Sequence, residues 1–475
     1  MADCCQIARW PHDHYRLTRR QPCQQPFRGD GPVRAPPEQF PDRNSPRRTT
    51  AALPVIPGST VAANRSGAPD DVERHHHQPC LHPAESSVAQ PPVGGDRRLR
   101  WGRGLGETLS LGDSVVAYIH EGASPYLLGQ DPSDITRHWS SLHRQRGRSG
   151  IGSEARDASA IDIALWDLLS SQLQVPLYQM LGGRSRASID VYNTCGGPNY
   201  VRAPAVAGRQ YTGTFEHDRY DDLWAFKNEP EQLAADLLSE GIDAMKIWPF
   251  DDIAVETGGL RVSTQQLVQG LEPLRRIREA VGDRMDIALE LHRRWSLPAA
   301  AAIVRAAEEY APMWIEDPVR ADNLEALAEL CRRSGVAILV GETLGSRFAY
   351  LDLSQRTGVI IVMSDPVWTG GVTEIRRIAD LVAAHQRGFT PHDCTGPVGL
   401  VVGTHVSLYV ETTIYQEFVR AFRYGWYEDV AVGLPVIDQG SIRPADAAGH
   451  GVALIRDDAA REWAVKTSTN GGRPT

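Results

Sequence analysis

Between about residues 188 and 416 the chain alternates, without a break, between short β-branched or aromatic runs and helical stretches of about ten to eighteen residues. Strands are expected at 189–194, 243–248, 285–290, 313–316, 336–341, 359–364, 388–391 and 411–416. Helices are expected between them at 230–240, 264–281, 298–310, 322–334, 346–357, 371–386 and 398–410. A helix between two strands returns the chain to the end where it began, so neighbouring strands run parallel. Eight such units predict an α/β fold of the closed (β/α)8 TIM-barrel type. An open doubly wound sheet would want a glycine-rich phosphate turn after its first strand. Here Cys195-Gly196-Gly197 carries no G-x-G-x-x-G and runs into a long loop.

At 475 residues there is room for a barrel, expected over 188–418, and an accessory domain. Residues 106–187 read as the helical part of a cap, with amphipathic helices at Ser114–Leu128 and Asp134–Gln145 and an apolar one at Ala158–Leu173. That last helix stops before Val175-Pro176, and Leu181-Gly182-Gly183 closes the segment. Residues 419–475 are expected to return to the cap. Residues 1–105 differ in kind. The first hundred carry fifteen prolines, fourteen arginines and no lysine, with neither helical nor strand period. They read as a disordered extension or as a frame-shifted segment.

The net charge of −9 argues against nucleic-acid binding, which asks for clustered excess cation. No run of residues is long and apolar enough for a membrane span. Seven cysteines with no C-x-x-C fit a reducing, cytoplasmic setting.

In a barrel, chemistry sits where the strands end. Those ends carry Lys246, Glu290, Glu316, Glu342, Asp365, His392 and Glu417, spaced 44, 26, 26, 23, 27 and 25 residues apart. After the first gap each step is one βα unit, so the groups converge on one point. Lys246 is one of only three lysines among 50 basic residues, which makes its place at a strand end selective. Glu290, Glu316 and Glu342 on adjacent strands would repel one another unless a cation lies between them. All-oxygen ligation suits one Mg²⁺ per site, with Mn²⁺ the alternative. The competing arrangement pairs each glutamate with a nearby arginine: Arg293, Arg294 or Arg320.

These residues, with Ala158–Gly183, Ile315-Glu316-Asp317-Pro318, Gly341-Glu342-Thr343 and Trp368-Thr369-Gly370-Gly371, resemble the enolase superfamily, mandelate racemase subgroup, over roughly 106–455. The resemblance implies Mg²⁺ on Glu290, Glu316 and Glu342, and abstraction of the proton α to a carboxylate by a His392–Asp365 dyad. It implies that Glu417 hydrogen-bonds the enediolate as a neutral acid and that Lys246 neutralises substrate charge. The family's second lysine on that strand is replaced by Trp248, which counts against racemisation. His292, two positions after Glu290, is expected to return to the same face and serve as the general acid of acid-sugar dehydratases. Glu290 stands where those enzymes carry Asp. Trp248 and Trp368 are expected at the mouth as substrate-binding residues, stacking on a ligand or walling the site, and Asn193 and Asp393 are expected to contact substrate hydroxyls.

The family's N-terminal β-meander, whose loop closes over substrate, is not recognisable before residue 105. The expected function is a hydro-lyase acting on a small sugar acid, an aldonate or aldarate, in a homo-oligomer. The alternatives are an isomerase, racemase or cycloisomerase of the same superfamily, or an inactive barrel with a damaged cap.

Overall fold

The computed structural model describes residues 84–86, 102–108, 112–143, 151–198, 200 and 219–455. The reading of residues 1–105 falls almost wholly outside these; within it, Ala84–Ser86 (β1) pairs antiparallel with Gly104–Gly106 (β2).

The barrel strands are β3 (Ile189–Thr194), β4 (Ala244–Ile247), β5 (Asp286–Glu290), β6 (Trp314–Glu316), β7 (Ile338–Val340), β8 (Ile361–Ser364), β9 (Gly388–Pro391) and β10 (Gln416–Phe418). Each of β3 to β8 pairs in parallel with the next, β10 pairs with β3, and a bridge from Phe389 to Thr413 closes the ring. The last strand lies later than the expected 411–416. Its β-branched signal comes partly from Thr412 and Thr413, but Arg186 binds the carbonyls of Glu411 and Thr413, so these residues form the bend into the strand.

Alternate side chains face inward. Tyr192, Ala244, Ala288, Trp314, Leu339, Ile361 and Met363 form a buried cluster inside the ring, while their neighbours pack outward on the helices. The helix expected at 264–281 is seen at Thr264–Val281, opened by a capping box between Ser263 and Gln266.

In the cap, the helix expected at Ser114–Leu128 is broken into Gly112–Ala117, a wide π-turn at Tyr118–Ala123 and Ser124–Leu127. Pro125 has no N–H to continue the ladder, and the Ser124 N–H reaches back to Ile119 instead. Two further helices matter here, α1 (Ile135–His143) and α2 (Ser153–Gln172). β2 lies directly on α2: a Cβ at Gly104 or Gly106 would come within 1.9 Å of the Ala164 or Ala160 carbonyl oxygen.

On the barrel side, α3 (Asp222–Asn228), α4 (Asp251–Thr257), α5 (Gly371–Ala384) and α6 (Pro397–Tyr409) frame the mouth. Ser159 and Asp162 of α2 accept the N–H groups of Gly370 and Thr373 at 2.8 Å each, locking cap to barrel at the start of α5. Asp167 of α2 accepts the N–H groups of Leu105 and His450, both at 2.9 Å. Glu107 caps the start of α6, accepting from Val398 and Gly399 at 3.1 Å each.

Candidate active site

The inward layer sets the site. Lys246, Glu290, Glu316, Asp365, His392 and Glu417 each stand two residues beyond an inward residue: Ala244, Ala288, Trp314, Met363, Thr390 and Tyr415. One strand departs. On β7 the position above Leu339 is Gly341, at φ 147°, where a Cβ would fall 2.1 Å from the Met363 carbonyl oxygen. The carboxylate therefore comes from Glu342, one residue further on.

Glu290, Glu316 and Glu342 are buried, and one carboxylate oxygen from each lies within 4.8 Å of the others. Lys246 Nζ donates to Glu316 Oε1 at 2.7 Å, lies 2.7 Å from Glu417 Oε1, and is 3.7 Å from Glu290 Oε2. Of the arginines weighed as counter-ions, Arg293 Nη1 bridges Glu342 and Asp317. Arg294 pairs with Asp251 at 3.2 Å and Arg320 with Asp322. Glu290 and Glu316 have no arginine partner among the described residues. Glu290 Oε2 is buried with no hydrogen bond. An all-oxygen donor set with an unsatisfied buried carboxylate oxygen fits a hard divalent cation.

Electrostatics divide the acids. Burial, then the adjacent Glu290, pushes Glu316 well above the usual carboxylate range. Burial also opposes charge on Glu342, but Arg293 and His392 hold it well below that range. Glu417 is likewise lowered against its burial by Lys246 and His392, and it accepts from Thr194 Oγ1 and from the Asp393 N–H at 2.8 Å. These neighbours favour its charged form, a direction opposite to the neutral acid expected. Burial would lower Lys246, but Glu316 and Glu417 raise it well above its ordinary value, so it stays charged.

His392 Nδ1 meets Asp365 Oδ2 at 2.7 Å, and Thr395 Oγ1 donates to the same oxygen at 3.0 Å. Nε2 lies 3.1 Å from Glu342 Oε2 and 3.4 Å from Cys394 Sγ. Burial would lower this imidazole, but Cys394, Glu417 and Asp365 raise it well above the ordinary histidine value.

His292 reaches the site by a different route from the one expected. The strand ends at Glu290, and His292 and Arg293 take positive φ values of 49° and 60°, so the two-residue period does not carry over. Its Nδ1 lies 2.9 Å from Asp251 of α4, and its ring packs edge-on to Trp248 at 5.6 Å. Trp248 is buried among Tyr200, Phe226 and His292. Asn193 sits on the outward face of β3; its amide donates to Asp222 at 2.8 Å and accepts from the Arg420 N–H at 3.0 Å. It steadies the Asp222–Arg420 ion pair, and its neighbour Thr194 takes the inward place. Asp393 is buried with both carboxyl oxygens unpartnered, and its carboxyl is pushed well above the usual range by burial and then Glu417. Trp368 is half-buried against the His392 ring, centroids 4.7 Å apart. Sequence reasoning missed Thr194, Asp251, Cys394 and the cap's Arg156; the first shares the two-residue period of β3 with Tyr192, a signal that could have found it.

The described residues contain no helix long and apolar enough to cross a membrane. Residues 229–459 match the family model of the enolase C-terminal domain-like fold, and residues 102–182 that of the mandelate racemase/muconate lactonizing enzyme N-terminal domain. The chain belongs to the mandelate racemase/muconate lactonizing enzyme family of the enolase superfamily. A D-galactonate dehydratase of Ralstonia nicotianae is 30% identical over 375 residues, spanning 76% of this chain and 89% of that one. One of Variovorax paradoxus is 29% identical over 323 residues, spanning 68% and 76%. Among solved structures, a mandelate racemase subgroup enolase from Agrobacterium tumefaciens has 35% identity and a TM-score of 0.70, covering 82% of this chain and 94% of that one.

Proposed function

We propose that the chain is a Mg²⁺-dependent dehydratase of a sugar acid, an aldonate or aldarate, yielding a 2-keto-3-deoxy acid. The observation that carries this reading is the pair of His–Asp couples at the mouth, His392 with Asp365 at 2.7 Å and His292 with Asp251 at 2.9 Å. Loss of water across a C–C bond needs one base and one acid, and the couples supply one of each. The D-galactonate dehydratases among its relatives support the same class.

Glu290, Glu316 and Glu342 would hold the divalent cation, which when bound stabilises negative charge developing on the substrate carboxylate. His392 Nε2 takes the α-proton, with Asp365 fixing the ring and favouring its protonated form. Lys246 stays charged between Glu316 and Glu417 and offsets the negative charge of the site. His292, held by Asp251, delivers a proton to the departing β-hydroxyl. Trp248 stands where a second lysine would supply the base on the opposite face, so racemisation, which requires one, is disfavoured. Asp393, with its free carboxyl oxygens, is the proposed hydroxyl contact, and Trp248 and Trp368 are walls.

The test is a screen of aldonates and aldarates for keto-acid product with and without EDTA, restored by Mg²⁺. Exchange of an α-proton in D₂O with product mass unchanged and no keto acid from any sugar acid would replace elimination by isomerisation.

A further inference from the structure

We propose that Arg156 of α2 is a positioning residue for His392, acting through Trp368, so that docking of the capping helix orients the base. The inference rests on His392 being that base. The Arg156 guanidinium carbon lies 4.7 Å from the Trp368 ring centroid, and the same indole packs on the His392 ring, centroids 4.7 Å apart and tilted by 48°. The three side chains form a column running from the cap to the reacting nitrogen.

Each level of the column is fixed. Arg156 Nε donates to the Ile151 carbonyl at 3.1 Å, which holds the guanidinium plane. The Trp368 and Thr369 N–H groups donate to the Asp365 carbonyl at 3.2 and 3.0 Å, and the Asp365 side chain holds His392 Nδ1. The turn that carries the indole is therefore built on the residue that orients the imidazole. Arg156, Ser159 and Asp162 follow at intervals of three along one face of α2 and meet the loop at Trp368 and Gly370 and the first turn of α5 at Thr373. A cation on an indole face is held there by the negative ring quadrupole, so the arginine fixes the indole in its place beside the imidazole. Without that wall the ring loses the packing on its face, and only its polar contacts at Nδ1 and Nε2 resist a pivot about the bond to Asp365. Arg156 is only 7% exposed, and burial of its charge is answered in part by Asp365.

The experiment uses the full chain with Mg²⁺ and D-galactonate as probe, following α-proton exchange in D₂O for Arg156→Leu, Arg156→Lys, Trp368→Leu and the Arg156→Leu/Trp368→Leu double variant. Arg156→Leu is expected to lower the exchange kcat about 10- to 100-fold, with KM within about threefold, as a misplaced base would. Arg156→Lys should recover most of the loss, because an ammonium also favours the indole face. The double variant should match Trp368→Leu alone. In the Mg²⁺-free chain, carbethoxylation of His392 by diethyl pyrocarbonate, mapped by peptide mass, should run severalfold faster in Arg156→Leu and Trp368→Leu but not in Arg156→Lys. A raised KM with unchanged kcat would make Arg156 a substrate contact. Additive losses, or a wild-type carbethoxylation rate in Arg156→Leu, would overturn the column. If His392→Asn retains exchange, the base assignment fails instead; if D-galactonate does not exchange, the carbethoxylation rate alone decides.

Discussion

Lys246→Met removes the ammonium that, among the described residues, lies against three of the four glutamates at the barrel mouth. Its Nζ is 2.7 Å from both Glu316 and Glu417 and 3.7 Å from Glu290. At an effective dielectric of about 20, each of the two short contacts amounts to about 6 kcal/mol of attraction. Desolvating the ammonium offsets much of that, and breaking a buried ion pair leaves a net loss of about 3–5 kcal/mol. In the metal-free variant the stranded carboxylates escape by binding protons. Stability should therefore rise as pH falls from about 8 toward 5, more steeply than in the wild type. The same reasoning makes Mg²⁺ and Lys246 rivals for one negative pocket. Losing the lysine should tighten Mg²⁺ at least about tenfold, equivalent to about 1.4 kcal/mol. Thermal melting at pH 5.5 and pH 8, with and without Mg²⁺, reads both effects. The reasoning is refuted if the metal-free variant melts with the wild type at pH 8, or if Mg²⁺ raises both melting temperatures equally.

His392→Asn should keep its Mg²⁺-induced melting shift and lose about 10²- to 10⁴-fold in α-proton exchange, measured by NMR in D₂O. Gly371→Ala, at φ 79° with a Cβ due 2.4 Å from Asp162 Oδ2, should cost about 3 kcal/mol or more in urea unfolding. Gly129→Ala, at φ 83° with nothing within 4 Å, should cost only about 1 kcal/mol, and equal losses would deny the cap–barrel lock. Burial raises Asp162 to about 7, above its value in the unfolded chain, so the folded state keeps a proton that the unfolded state releases. That contribution to stability is present at acid pH and fades as pH climbs toward 7, by up to about 2 kcal/mol between pH 5.5 and 7. Asp162→Asn should flatten that part of the stability–pH curve, as read from urea midpoints.

What could be read from the chain was whatever repeats with the strand. Lys246, Glu290, Glu316, Asp365, His392 and Glu417 share a register because each lies a fixed two residues beyond the barrel's inner layer, and such a register survives translation into sequence. Asn193 was misread by one position along β3, which is enough to turn a side chain to the other face. His292 was placed by extending that period past the strand's end, where two successive positive φ values reverse the chain. Arg156 and Asp162 could not be found this way. Their partners lie more than two hundred residues on, and only the docking of α2 reveals which face of that helix meets the barrel.

The glycine at 341 shows why the ring of charges is not a ring of equivalents. A side chain there would strike the Met363 carbonyl on the next strand, so the backbone closes in and the acid arrives from the next residue, outside the strand. Glu342 is consequently the member of the carboxylate trio that reaches Arg293 and His392, and it is held ionised, while Glu316, deep between Glu290 and Lys246, is driven toward the proton. The two acids have opposite tendencies because one strand end is a glycine. If Glu316 is a ligand as proposed, binding a dication should draw it back to its charged form and release a proton, so affinity for Mg²⁺ should fall as pH drops. Glu316→Gln should abolish that proton release in calorimetry run in buffers of different ionisation heat. Undiminished release from the variant would place the proton elsewhere in the cluster.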